Sequence, residues 1–173
     1  GYYAYREGDL SISPMIQINP GDGYESADVK NGSTLYDGLE DREIGLYAGV
    51  QLRYDFNSFD VSSNFLLDAS GEHDGYLAEL KVGQDYSFSR SFSIMPSVSI
   101  VYNSDKVNQY FFGVDSMYAT LQRPNFEAEA GVNIDAGAIV RWEFSSNWYV
   151  FSKLSYLVFD DNIKDSPLID KTE

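Results

Sequence analysis

A run of thirteen residues, 44–56, alternates between apolar side chains and small or polar ones. A period of two residues is typical of a β-strand that has one apolar and one polar face. The run is about twice as long as the ~5–6 residues usual in soluble proteins. Its polar face ends in a charge of each sign, Arg53 and Asp55. The pattern leaves open which face of the strand is the inside of the protein.

The same alternation recurs along the chain and predicts eight strands in a single domain spanning residues 1–173. No segment shows sustained helical periodicity, and no linker divides the chain. Pro14 and Pro96 fall inside two of the strands, where each removes a ladder hydrogen bond, and we expect a bulge at each. The predicted strands cover residues 2–5, 10–18, 44–56, 59–69, 76–88, 92–102, 134–144 and 148–158.

The connections between these strands alternate in length, which predicts an up-and-down transmembrane β-barrel. Tight turns at 6–9, 57–59, 89–91 and 145–147 fall at one end of the meander. The long connections 19–43, 70–75 and 103–133 fall at the other end. Transmembrane barrels have short periplasmic turns and long outer loops, and a tilted strand spans the bilayer with ~9–11 residues. A soluble β-sandwich, with the apolar face of 44–56 buried against a second sheet, is the competing fold.

In the barrel interpretation the apolar face contacts lipid and the polar face lines the lumen. Aromatic residues near the strand ends then form an interfacial girdle: Tyr54, Phe56, Phe59, Phe88, Phe92, Trp142, Phe144 and Trp148. The charged residues of the polar face are expected in the lumen: Arg53, Asp55, Asp60, Asp68, Glu79, Lys81, Asp85, Asp135, Arg141, Glu143 and Lys153.

These lumen charges have two interpretations, an ion-selective pore and a paired network that fills a narrow barrel. We favour the network, because four cations among seven acids allow extensive pairing and unpaired buried charges are costly. The small inward residues Gly45 and Gly49 suggest that a loop packs inside. The segment 117–126, MYATLQRPNF, carries apolar and aromatic residues that could plug the lumen.

Composition excludes several function classes. A net charge of −15 argues against a nucleic-acid partner, and the lack of cysteine excludes disulfides, zinc fingers and thiol catalysis. The single histidine, His73, lies in the loop SGEHDG and is interpreted as a polar loop-tip residue rather than a catalytic one. The acidic loop 19–43 lacks the spacing of an EF-hand calcium site, and the sequon at Asn31 is discounted. We therefore expect no enzyme activity, no cofactor and no metal.

Residues 110–169 resemble the MltA-interacting protein family (MipA/OmpV) of Gram-negative outer membranes. The matching features are YFFGV at 110–114, the glycines Gly131 and Gly137, the tight turn into Trp148, and the ending DDNIKDSPLI at 160–169. The stretches GLYAGVQLRYDF and GEHDGYLAELKVGQDYSF fit the family more loosely. The resemblance covers about two thirds of the chain.

The resemblance implies an outer-membrane protein that scaffolds peptidoglycan-synthesising and -trimming complexes. Its partners would be outer-membrane lipid, a lytic transglycosylase and a peptidoglycan synthase, with protein contacts on the short periplasmic turns. The alternatives are a small-solute channel and a surface adhesin involved in osmotic adaptation. Family members are longer, with further strand structure at both ends. We therefore expect this sequence to lack N- and C-terminal portions of a closed barrel of ten to twelve strands.

Overall fold

The computed structural model describes residues 4–19, 39, 42–146 and 148–169, and in them it shows one antiparallel sheet. Two short helices, α1 (Asp105–Phe112) and α2 (Asp161–Lys164), and one 3-10 turn, Ser116–Tyr118, lie outside the sheet. The strands are β1 Tyr5–Glu7, β2 Leu10–Asn19, β3 Gly45–Asp55, β4 Asp60–Asp68, β5 Tyr76–Gly83, β6 Tyr86–Ser87, β7 Phe92–Asn103, β8 Gly131–Ser145 and β9 Trp148–Val158.

Neighbouring strands of the chain pair with each other, in the order β1-β2-β3-β4-β5-β7-β8-β9, with β6 also paired to β7. The predicted antiparallel meander is therefore confirmed, with the short turns at one end and the long connections at the other. Across the described residues the sheet is not closed, because β1 and β9 do not pair with each other. None of the helices in the described part of the chain is long and apolar enough to cross a membrane.

The apolar face of the sheet is the outer one. Along β4 the alternate residues Ser62, Asn64 and Leu66 are buried, whereas Phe65 and Leu67 between them are exposed. The other long central strands show the same inversion, with apolar side chains outside and mostly polar ones inside. In the described ranges no second sheet covers the outer face, so the sandwich alternative is wrong.

The predicted strand 76–88 is interrupted, and the interruption lies opposite Pro96. Strand β5 ends at Gly83 and β6 begins at Tyr86, with the same register to β7 on both sides of the gap. The Pro96 carbonyl accepts a hydrogen bond from the Gln84 amide (3.1 Å), so the proline nitrogen also points toward this gap. The missing amide is thus accommodated by a break in the neighbouring strand.

The expected bulges at the two prolines are wrong. Pro14 pairs with Val50, and Pro96 pairs with Ala138, in unbroken register. The N–H and C=O groups of successive residues in β2 point alternately toward β1 and toward β3. The Ile12 carbonyl points toward β1. The nitrogen of Pro14, two residues farther along, therefore also points away from β3. The one register shift among the paired strands lies at the β8–β9 turn, between Glu143 and Ser145.

Helix α1 covers the long-loop end of the sheet, although no helix was predicted there. Its Val107 belongs to a buried cluster with Tyr47, Leu66 and Leu77, the inward residues at the ends of β3, β4 and β5. Phe111 packs against the same cluster. The end of the sheet is therefore closed by α1 on the inner side.

The segment 117–126 does not plug the lumen, which corrects that expectation. Met117 is 77% exposed and Leu121 is fully exposed. Phe126 packs against a separate cluster outside the sheet, formed by Leu39, Val114 and Leu168. Three features of the sequence lie outside the described residues: the acidic side chains of 20–38, the sequon at Asn31, and residues 2 and 3 of the first predicted strand.

Candidate functional site

The candidate site is the inner face of the sheet together with the segments that cover its long-loop end. At the short-turn end, the Arg53 guanidinium bridges the carboxylates of Asp55 (2.7 Å) and Asp60 (3.3 Å) across the β3–β4 hairpin. Arg141 pairs with Glu143 on β8 (3.3 Å). These two ion-paired groups lie near the mouth formed by the tight turns.

A row of neutral and acidic groups crosses the middle of the inner face. The Gln51 amide donates to Asn64 (3.0 Å), and the Asn64 amide donates to the Glu79 carboxylate (2.6 Å). The three residues are register partners on β3, β4 and β5, so the hydrogen bonds run along one level of the sheet. Farther round, Lys153 on β9 pairs with Asp135 on β8 (3.2 Å).

Nine of the eleven predicted lumen charges therefore lie on one face, but as separate groups rather than one continuous network. A cavity of about 510 Å³ lies among Arg53, Asp60, Glu79, Lys81 and Asp135. Lys81 has no hydrogen bond or ion pair with any residue that the structure describes.

Two of the predicted lumen acids lie elsewhere. Asp85 is exposed in the gap between β5 and β6, where it accepts a hydrogen bond from the Ser87 hydroxyl (3.2 Å). Asp68, at the end of β4, organises the loop 69–75. Its carboxylate accepts from the amides of Ser70, His73 and Asp74 at 2.8–2.9 Å. An aspartate that gathers successive backbone amides stabilises a tight turn.

His73 is a buried member of this loop, which corrects its interpretation as a polar loop-tip residue. Its side chain is only 2% exposed, and its ring lies 5.3–5.9 Å from the rings of Tyr47, Tyr110 and Phe111. Nδ1 accepts from the Gly75 amide (2.9 Å), and Nε2 lies 3.2 Å from the Tyr47 hydroxyl. This pattern assigns the proton of the neutral ring to Nε2, as donor to Tyr47.

Helix α1 is fixed by hydrogen bonds to several segments. The side-chain amide of Asn108 donates to the Glu129 backbone carbonyl (2.7 Å), and the side-chain oxygen of Gln109 accepts from the Ala128 backbone amide (2.8 Å). The Tyr110 hydroxyl accepts from the Glu43 amide (3.0 Å), and burial raises the pKa of Tyr110. The Ser166 hydroxyl, just beyond α2, donates to the Phe112 carbonyl (2.7 Å). The helix is therefore a well-anchored cap.

Beside this cap lies an open groove of about 820 Å³, lined by more acids than bases. Arg42 places its guanidinium 4.9 Å from the centre of the Tyr110 ring in this groove. In the part of the chain that the structure describes, no cluster of three or more histidine or acidic side chains has the arrangement of a metal site.

The space beside the inward glycines is occupied by neighbouring atoms of the sheet, not by an inserted loop. A Cβ atom at Gly45 would meet the Tyr47 ring at 2.6 Å. At Gly49 it would collide with the backbone of Phe65 on the adjacent strand. The two glycines thus permit close packing inside the sheet itself.

The predicted girdle residues gather at the short-turn end. Phe56 lies 4.6 Å from both Tyr54 and Phe59, measured between ring centres. Phe88 contacts Phe92 at 5.9 Å, and Trp142 contacts Phe144 at 5.7 Å. Trp148 is 67% exposed on the same outer face. Their position at a membrane interface remains a prediction.

The chain is similar to several outer-membrane proteins. It is 24% identical to outer membrane protein Omp26La of Vibrio anguillarum and 25% identical to outer membrane protein OmpV of Vibrio cholerae. Each match covers 77% of this chain and 51% of the relative. It is 22% identical to the MltA-interacting protein of Escherichia coli, over 99% of this chain and 68% of that protein. No solved structure matches the chain significantly.

The chain spans about half the length of the first two curated relatives. The family model described as MltA-interacting protein MipA matches residues 1–173, the whole of the sequence. The names of these relatives describe outer-membrane or interacting proteins, and none names an enzymatic activity. The chain belongs to the MltA-interacting protein MipA family, whose members are outer-membrane proteins of Gram-negative bacteria.

Proposed function

We propose that the protein is a non-enzymatic outer-membrane scaffold that binds a lytic transglycosylase and a peptidoglycan synthase on its periplasmic side. The observation that carries this proposal is the family match over the whole chain, together with the name MltA-interacting protein of the Escherichia coli relative. The outer apolar face supplies the lipid contact that an outer-membrane anchor needs.

The geometry supports a platform rather than a wide pore. Arg53, Arg141 and Lys153 are each ion-paired with a neighbouring acid on the inner face. Helix α1 covers the other end of the same face, where Val107 packs on inward side chains. Because these cations are ion-paired and α1 covers one end of the inner face, we expect little passage of solutes and no stable conductance in planar bilayers. A reproducible current that changes when Arg53 or Arg141 is replaced would favour the channel alternative.

The short turns are the surfaces that would face periplasmic partners. Between the strands that they join, they are residues 8–9, 56–59, 88–91 and 146 at one end of the meander, so the first turn is shorter than the predicted 6–9. Asn147, the remaining residue of the last predicted turn, is outside the described residues. Arg90 is exposed at one of these turns, and Asn57 is exposed at another. Neither residue packs in the sheet, so both can be changed without disturbing its strands.

The test is recovery of the two enzymes from a cell-envelope extract by the immobilised protein. We expect the wild-type chain to retain both, and the charge-reversed Arg90→Glu variant to retain less. Lys106→Glu is the matched control, because it makes the same charge change on α1 at the opposite end. Failure of the folded wild-type protein to recover either enzyme would contradict the scaffold proposal.

A further inference from the structure

One level of the inner face presents a free cation and an unsatisfied acceptor in the same cavity. Lys81 on β5 is the register partner of Ser99 on β7, and Ser99 is the partner of Asp135 on β8. Lys81 on its other side pairs in register with Ser62 on β4. Ser62 and Ser99 are both buried. Their hydroxyls can donate or accept, so this level offers polar groups of every kind.

The acceptor is one oxygen of Asp135. Its Oδ2 receives the Lys153 ammonium at 3.2 Å, whereas its Oδ1 is buried and has no hydrogen-bond partner among the described residues. Buried polar atoms are nearly always satisfied in native proteins, by protein, water or ligand. An unfilled carboxylate oxygen in a cavity can therefore accept a hydrogen bond from a bound molecule.

The donor side is Lys81. Its ammonium makes no hydrogen bond or ion pair within the described ranges, and its side chain lines the same cavity as Asp135. Strands lie ~4.8 Å apart, so Lys81 and Asp135, two strands apart, are about 10 Å from each other at the backbone. The flexible lysine stem shortens this gap to the span of a small molecule that has opposite charges at its ends.

The balance of charge in the cavity favours a ligand with no net charge. Three cations line it, and so do three acids: Arg53, Lys81 and Lys153 against Asp60, Glu79 and Asp135. A lone anion or cation would meet like charges at this distance, whereas a molecule that carries both satisfies both ends. The volume of about 510 Å³ falls within the ~300–1,000 Å³ of small-molecule pockets.

We propose that this cavity binds a small zwitterionic solute of the amino-acid or dipeptide class. Its carboxylate accepts from the Lys81 ammonium and from the Ser62 hydroxyl, both of which line the cavity. Its ammonium donates to Oδ1 of Asp135. The site is independent of the periplasmic turns, and it holds whether or not those turns bind enzymes.

The experiment titrates the purified chain in detergent micelles at pH 7 with three probes, by saturation-transfer NMR. Glycylglycine carries both charges, N-acetylglycine carries only the carboxylate, and glycinamide carries only the ammonium. We expect saturable binding of glycylglycine and at least about tenfold weaker binding of the two single-charge probes, because each loses one charge-assisted hydrogen bond.

Two matched pairs of variants locate the site. Lys81→Met is expected to weaken glycylglycine binding about tenfold or more, whereas Lys106→Met, which removes an exposed lysine on α1, leaves it unchanged. Asp135→Asn is expected to weaken it similarly. Lys153→Met breaks the same ion pair but keeps the Asp135 carboxylate, so it preserves binding.

Three results would overturn the proposal. The first is no saturable binding of glycylglycine by the folded wild-type protein at millimolar concentrations. The second is equal affinity for a single-charge probe, which would make the site a simple anion or cation site. The third is an equal effect of Lys81→Met and Lys106→Met, which would place binding outside the cavity. If Asp135→Asn fails to fold, the lysine pair and the three probes still decide.

Discussion

Substitution of Gly75 by alanine should loosen the contact between α1 and the sheet. Gly75 precedes β5 and lies directly beneath the helix. A Cβ atom at this position would come within 2.6 Å of Val107 Cγ2, 2.8 Å of His73 Nδ1 and 2.9 Å of Ser104 Oγ. Ordinary carbon contacts are ~3.5–4.0 Å, so several atoms from three segments must move by up to about an ångström.

The size of the effect follows from the kind of contact. Forcing one methyl group into a packed interior costs typically about 1–3 kcal/mol. All three neighbours are held by other contacts: Val107 by its cluster, His73 by Tyr47, and Ser104 by the Tyr76 amide. We therefore expect Gly75→Ala to lower the free energy of unfolding by about 2 kcal/mol.

The measurement is equilibrium unfolding in urea in the presence of detergent micelles, followed by tryptophan fluorescence. Gly83→Ala is the matched control, because the nearest atom to its added Cβ would be at 3.5 Å, an ordinary contact; its change should stay within about 0.5 kcal/mol. Val107→Ala combined with Gly75→Ala should cost less than the sum of the two single changes, since the shortest clash is removed. Equal effects of Gly75→Ala and Gly83→Ala would refute the packing of α1 on this loop.

Three further changes test the loops at the same end. Asp160→Ala removes the N-cap of α2 and the bond from the Val132 amide, and we expect a loss of about 1 kcal/mol in urea unfolding. Backbone amides lower the pKa of Asp160. The stabilisation by Asp160 is therefore present above the pKa of this carboxyl in the unfolded chain, about 3.9, and is lost as the pH falls through its lower pKa in the folded state. An NMR titration of the carboxyl checks this, and a folded-state pKa at or above about 3.9 would contradict it. Asp68→Ala should make the loop 69–75 sensitive to protease, and protection equal to wild type would disprove its organising role. Tyr47→Phe removes the partner of His73 Nε2 and should cost about 1–3 kcal/mol, whereas an unchanged urea midpoint would exclude that hydrogen bond.

The sequence alone was sufficient for the sheet and for the orientation of its faces. A strict period of two over residues 44–56 is compatible only with a long strand, and the alternating connection lengths indicate the up-and-down order. Side-chain parity then places Arg53, Glu79 and Asp135 on one face. The break after Gly83 was missed because it depends on Pro96, which lies on a neighbouring strand.

The cap could not be predicted because its determinants are local and short. Helix α1 has eight residues, too few for an amphipathic period to stand out from a loop, although Ser104 before it and Asp105 at its first position are typical of helix starts. Its stability comes from tertiary contacts, and the burial of His73 follows from these contacts. The Ser104 hydroxyl accepts from the Tyr76 amide rather than capping the helix, which no sequence pattern indicates.

Pairing among the inward charges also depends on register and distance. Parity gave the correct face for Asp68, but the residue lies at the strand end, where backbone amides of its own loop reach it first. Lys81 and Asp135 share one level only because β5, β7 and β8 pair in this register. A one-residue slip would have moved either side chain to the outer face.

In an outer-membrane protein with this sheet, the apolar face must be the one that contacts lipid. Ser62 and Ser63 are adjacent on β4, one buried on the inner face and one exposed on the outer face, and the chain has no native cysteine. A nitroxide attached to Ser63→Cys in lipid vesicles should be accessible to oxygen and shielded from a water-soluble nickel complex. The same label on Ser62→Cys should be less accessible to oxygen. Greater oxygen accessibility at position 62 than at position 63 would contradict the orientation of the sheet.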